Sequence, residues 1–166
     1  MKALFIAAAL AAAAAPVVAQ EHDHAHMTAA HADSDSAFAA MQARGKDVMG
    51  VDQYTSRHVF ESLPDGGRIE LQRTVDDTAG VAQIRRHLTQ IAEAFGRGDL
   101  SAPVLVHAQA VPGARVMAAK HAAISYATAP LPGGGELRIT THDPEAIAAV
   151  HEFLAFQRHE HRAGEQ

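Results

Sequence analysis

The sequence predicts an α+β domain made of two ββα units: a four-stranded antiparallel sheet with two long helices on one face, plus an N-terminal helix. Three observations lead to this. The turn Leu63-Pro64-Asp65-Gly66-Gly67 returns 68 residues later as Leu131-Pro132-Gly133-Gly134-Gly135. Each turn is followed by an apolar-alternating run, Arg68-Ile69-Glu70-Leu71 and Glu136-Leu137-Arg138-Ile139. Each run then passes an acidic residue, Asp77 or Asp143, into an apolar-periodic segment. At an offset of 66, Val81, Ile84 and Leu88 superpose on Ile147, Val150 and Leu154. A strand–turn–strand–helix unit used twice accounts for all three, with copies at about residues 55–96 and 123–161.

Residues 1–19 read as a secretory signal peptide. Lys2 supplies the positive charge, Leu4 to Ala15 the short apolar run, and Val17-Val18-Ala19 the small residues of a cleavage site. The run is too short to span a bilayer. Cleavage after Ala19 leaves 147 of the 166 residues, with Gln20 at the new N-terminus. Residues 20–35 hold His22, His24, His26 and His31 with Met27 as the one large apolar side chain. That is too little to bury, so a disordered histidine-rich arm is expected. Residues 36–166 form a single domain of ordinary size.

Within that domain Ser36 is positioned to cap a helix carrying Phe38, Met41 and Val48, which Gly50 ends. Thr55 to Leu63 and Arg68 to Val75 alternate as strands around a four-residue loop, Pro64 to Gly67, which sets Leu63 opposite Arg68. His58, Phe60, Ile69 and Leu71 then share one face. Asp76 or Asp77 caps the next helix, whose stripe Val81, Ile84, Leu88, Ile91 and Phe95 steps by 3 and 4 until Gly96 and Gly98 stop it. Val104-Leu105-Val106 precedes His107, and Arg115 to His121 is a short helix bearing Met117. The second hairpin joins Ile124–Pro130 to Glu136–Thr141, with Tyr126 at the position His58 holds in the first. Asp143-Pro144 starts the last helix, where Ile147, Val150, Leu154 and His161 follow the apolar line.

Composition narrows the function. The formal charge of −5, which becomes −6 once Lys2 is removed, comes without a basic cluster and argues against nucleic acid as a partner. No apolar segment after the leader is long enough to cross a membrane. The absence of cysteine excludes disulfides, thiolate metal sites, iron–sulfur clusters and covalently attached haem. Nucleophile-elbow, zincin, Walker and Rossmann patterns are missing, so no catalytic residue is nominated and an unrecognised hydrolase stands only as a further alternative.

Twelve histidines are the compositional outlier, and imidazole is a ligand for copper, zinc and nickel. Two groups are candidates. In the arm, His22, His24 and His26 alternate. Cleavage after Ala19 places His22 third, where the free amine, two amide nitrogens and the imidazole resemble the amino-terminal copper- and nickel-binding motif. Inside the domain, His58 on a strand and His87 and His151 at the edges of the two helical stripes are expected to converge, with His107, Met49 and Met117 as possible additions. The expected function is therefore a periplasmic metal-binding protein, for copper above zinc or nickel, acting as buffer, carrier or sensor. The alternative is a module for a small organic ligand or non-covalent haem in the space between sheet and helices.

Several segments carry a resemblance: Met41-Gln42-Ala43-Arg44-Gly45, Met49-Gly50-Val51-Asp52-Gln53, Leu63 to Arg73, Ile84-Arg85-Arg86-His87-Leu88 and His151 to Arg158. Together they resemble a family of small exported proteins of Gram-negative bacteria, some labelled aspartate carbamoyltransferase. The resemblance implies export. The label does not transfer, because that enzyme resembles two α/β domains where this chain has room for one. Thr55-Ser56-Arg57-His58 also does not match its phosphate-binding Ser-Thr-Arg-Thr loop.

Overall fold

Two glycine pairs set how the halves of the molecule meet. The structure is a computed structural model that describes residues 23–163, with side chains from Ser34 onward. In chain order the elements are α1 (Asp23–Met49), β1 (Ser56–Leu63), β2 (Gly66–Arg73), α2 (Thr78–Gly96), α3 (Ser101–His107), α4 (Ala114–Ala119), a 3-10 turn (His121–Ala123), β3 (Ile124–Leu131), β4 (Gly134–Thr141) and α5 (Pro144–Glu160). The sheet is antiparallel in the order β1-β2-β4-β3. The two ββα units therefore join through their second strands, with α1 preceding them.

The hairpin turns are tighter than the predicted four-residue loop. Leu63 pairs with Gly66 and Leu131 with Gly134, so each turn has two residues, Pro64-Asp65 and Pro132-Gly133. The register therefore slips by two from the expected one: His58 faces Leu71, and Phe60 faces Ile69. A slip of two leaves every side chain on its face. His58, Phe60 and Leu71 are buried as a set, while Val59 and Leu63 lie half-buried on the far face. The physical reason is that the glycines are needed inside the strands. A Cβ on Gly66 would collide with the Ile139 carbonyl, and one on Gly134 with the Leu71 carbonyl, across the β2–β4 seam.

The next residue along faces a helix. A Cβ on Gly67 would strike Leu154 of α5, and one on Gly135 would come within 3.0 Å of Leu88 of α2. Each helix thus seats its central leucine on the other unit's hairpin: α5 lies over β1 and β2, and α2 over β3 and β4. Ile84, Leu88 and Phe95 of α2 and Val150, Phe153 and Leu154 of α5 are buried against the sheet with Leu71, Leu137 and Ile139. The helix starts are built alike. The Asp77 carboxylate accepts from Gly80 N at 2.8 Å, and Asp143 accepts from the amides of Glu145 and Ala146 at 2.9 and 3.1 Å, with Pro144 in the first turn. The outer sheet face is charged: Arg68 bridges Glu61 at 2.6 Å and Glu70 at 3.1 Å.

One boundary differs from expectation. α1 begins at Asp23 rather than Ser36, so the stretch expected to be a disordered arm is helical from Asp23 onward. Ala25, Ala29, Ala30 and Ala32 supply strong helix propensity where large apolar residues are lacking. Residues 1–22, with the expected leader, cleavage site and His22, lie outside the described residues, as do the side chains of His24, His26 and His31. No described helix is long and apolar enough to cross a membrane.

The seam predicts an asymmetry between glycines. Gly134→Ala forces a side chain into the Leu71 carbonyl and should cost at least about 2 kcal/mol in urea denaturation. Gly96→Ala, at a position with nothing within 4 Å, should stay within about 0.5 kcal/mol of the parent.

Candidate functional site

Four of the imidazoles meet in one place. Between the inner sheet face and the helices lies a cavity of about 100 Å3, largely apolar, with His58, His87, His107 and His161 in its walls. Each arrives by a separate local device. His58 sits two residues before Phe60 on β1, so both face inward. His87 flanks the stripe of α2. His107 is the last residue of α3, where Ala108 turns left-handed (φ 53°) and stops the helix. His161 caps the C-terminus of α5, its backbone N–H reaching the Gln157 and His159 carbonyls. Met49, at the end of α1, also lines the cavity.

Three of the rings, those of His58, His107 and His161, are in contact. The His58 and His161 ring centroids are 4.8 Å apart and nearly parallel, at 27°. His107 meets His161 edge-on at 5.2 Å and 89°. His107 Nε2 donates to Gln157 Oε1 at 3.0 Å. Among the described residues, His58 Nε2, His107 Nδ1, His161 Nδ1 and Gln157 Nε2 are buried without a hydrogen-bond partner. Each such atom costs about 1–3 kcal/mol if left unmet.

Burial also sets the charge state. It pushes His58 down to about 4, helped by the nearby His87. It holds His161 well below the ordinary histidine value, with His58 and His107 adding repulsion. His87 is lowered by burial. His107 is lowered by burial and by Arg44, against the opposing pull of Gln157 and Glu160. At neutral pH the cavity therefore presents uncharged imidazoles, each with one N–H and one lone pair.

The expected internal group is only partly assembled. His58, His87, His107 and Met49 share the cavity, and His151 does not. Its Nε2 donates to the Leu63 carbonyl at 2.8 Å, at the turn end of β1. The offset of 66 explains this, because it matches His151 to Arg85, which donates to the equivalent carbonyl of Leu131 at 2.7 Å. His151 thus ties a helix to a hairpin. Met117 is fully buried on α4, in the core rather than the cavity wall. Among the described residues no three His, Asp or Glu side chains are arranged to hold a metal ion. Stacking accounts for this at His58 and His161, since imidazole lone pairs lie in the ring planes and two nearly parallel rings do not aim them at one point.

His161 and Gln157 take the place that sequence reasoning assigned to His151. The signal was in the repeat. At the helix offset His161 falls on Phe95 and Gln157 on Ile91, and at the strand offset His58 falls on Tyr126. In the second hairpin Phe95 packs edge-on against Tyr126 at 5.7 Å. The same scaffold position thus holds an aromatic pair on one side and an imidazole pair on the other.

The cavity makes stability depend on pH. The unfolded chain binds protons at histidine below about pH 6.5, and the folded chain resists this until about pH 4 at His58. The stabilisation from keeping His58 neutral is complete above pH 6.5 and is lost as pH falls toward 4, on the order of 3 kcal/mol for this residue. The urea midpoint should therefore drop between pH 7 and about pH 4.5, and His58→Phe should flatten the drop. A parent midpoint that is flat across this range would refute the assignment.

No protein-family model, curated protein or solved structure matches this chain.

Proposed function

We propose that this chain is a binding protein whose cavity takes a small, uncharged, mostly apolar molecule carrying a hydrogen-bonding group. One observation carries the reading: His58 and His161 stand where the other half of the scaffold holds Tyr126 and Phe95. An aromatic pair fits that architecture, so packing does not require imidazoles. The imidazoles leave buried nitrogens unpaired, a cost that recognition would offset. Among the described residues no Asp, Glu, Lys or Arg lines the cavity, so a charged guest would lack a counter-charge there. The volume of about 100 Å3 suits a guest of about four to six non-hydrogen atoms, since benzene, with six, is held by an engineered cavity of about 150 Å3. Haem would need more room than this, because cofactor pockets run to several hundred Å3. Export to the periplasm, supported by the leader-like first nineteen residues, belongs to the same reading.

Cyclopentanol is a suitable probe. Titrated into the chain labelled at histidine, it should shift the ring nitrogens of His58, His107 and His161 and leave His142, at the start of α5, in place. No shift, or an equal shift at every histidine, rejects the cavity as a binding site.

Copper in the same cavity is the second reading. It is favoured by neutral imidazoles beside the Met49 thioether, a donor set suited to copper. It requires His58 and His161 to leave their stack so that lone pairs converge. Equilibrium dialysis against Cu(I), Cu(II) and Zn(II) should show tight copper binding at one ion per chain, lost when His58→Phe and His161→Phe are combined. Binding that survives the double change would lie outside the stacked pair, and no binding would end the metal reading.

A further inference from the structure

A second concavity lies on the outside of the molecule, and its chemistry differs from that of the cavity. A groove of about 780 Å3 runs between α1 and the C-terminal half of α5. Three guanidinium groups line it, those of Arg44, Arg158 and Arg162, with one carboxylate among the described lining residues, Glu160, and Asp35 paired to Arg162 beside it. This is a cationic patch on a chain of formal charge −5. Its walls also include Phe38 and Met41.

The arginines are held from behind. Arg158 donates through Nε and Nη2 to the Phe60 carbonyl at 2.9 and 2.7 Å. Arg44 donates through Nε to the Val106 carbonyl at 2.7 Å. Arg162 pairs with Asp35 at 2.9 Å and lies 4.3 Å over the Phe38 ring. Among the described residues these bonds leave Nη1 of Arg158 and both terminal nitrogens of Arg44 without a protein partner. Guanidinium groups fixed in this way present donors to an anion with little further loss of freedom. Glu160 opposes an anion, but its carboxylate accepts from Gln109 Nε2 at 3.2 Å and faces the His107 side.

We propose that this groove binds an amphipathic organic carboxylate, its head on Arg44 and Arg158 and its apolar body along Phe38 and Met41. Charge selects the head, because planar guanidinium donors match a carboxylate. The apolar walls select the body, and the volume falls in the range of small-molecule sites. The site is separate from the inner cavity, with the buried His107 ring as the partition that both share. It does not depend on what the cavity binds.

Calorimetric titration of the full chain with octanoate, and with octanamide as its uncharged counterpart, tests this. Octanoate should bind at one per chain, at least about tenfold tighter than octanamide, and weaken as salt rises. Arg44→Gln and Arg158→Gln should each weaken octanoate about tenfold or more. Arg57→Gln, which removes an exposed charge from the first hairpin, should leave it unchanged. Should Arg158→Gln disturb the fold through loss of its bond to β1, Arg44→Gln and the octanamide comparison still decide. Equal binding of acid and amide, no binding of octanoate, or full affinity in Arg44→Gln would each overturn the proposal.

Discussion

The seam between β2 and β4 is the contact on which the rest of the structure depends. Ile69 pairs with Leu137, its own counterpart at the offset of 68, and the pairing runs symmetrically outward from there. Backbone carbonyls approach so closely at Gly66 and Gly134 that no side chain is tolerated. The neighbouring glycines let Leu154 and Leu88 sit down on the sheet. Those two contacts fix the height of α5 and α2 above the strands. They also place each helix over the hairpin of the other unit, so neither ββα unit closes its own core. The seam thus determines both the sheet and the volume beneath the helices.

On this near-symmetric frame the two sides are filled differently. On one side Tyr126 and Phe95 pack edge to face. On the other His58 and His161 stack, with Gln157 and His107 beside them. The aromatic pair gains from apolar burial. The imidazole pair buries polar nitrogens at a cost. α3 carries His107, and α1 carries Met49, to the imidazole side. What distinguishes the cavity is therefore its cluster of unpaired nitrogens on His58, His107, His161 and Gln157, where the other side buries one unpaired hydroxyl, that of Tyr126. The arginine groove expresses the complementary chemistry outside: charge at the surface, where water and protein carbonyls keep guanidinium groups solvated, and neutral imidazole within, where desolvation removes the charge.

Much of the fold was legible because it rests on short-range periodicity. The strand alternation, the stripe Ile84, Leu88 and Phe95, and the Asp143-Pro144 helix start are each written within a few residues, and the repeat supplies the strands, the Ile84 and Leu88 positions and the acidic cap twice. The hairpin register was not legible. Gly66 and Gly67 look like turn residues in sequence, and their reason for being glycine is a strand and a helix that arrive from 73 and 87 residues away, at Ile139 and Leu154. The start of α1 at Asp23 was not legible either, because alanine propensity extends the helix through a stretch that lacks large apolar residues to bury.

By itself the sequence determined an α+β class, two ββα units, the face that carries His58, and a chain rich in imidazole. Tertiary structure alone decided which imidazoles meet. His151 lies on the edge of the α5 stripe, and its partner, the Leu63 carbonyl, is 88 residues away. His161 lies at the end of the same helix and reaches His58 because α5 crosses over to the first hairpin. Helical periodicity states which side of a helix faces the core. It does not state which strand lies beneath, and that is settled only when the glycine seam closes.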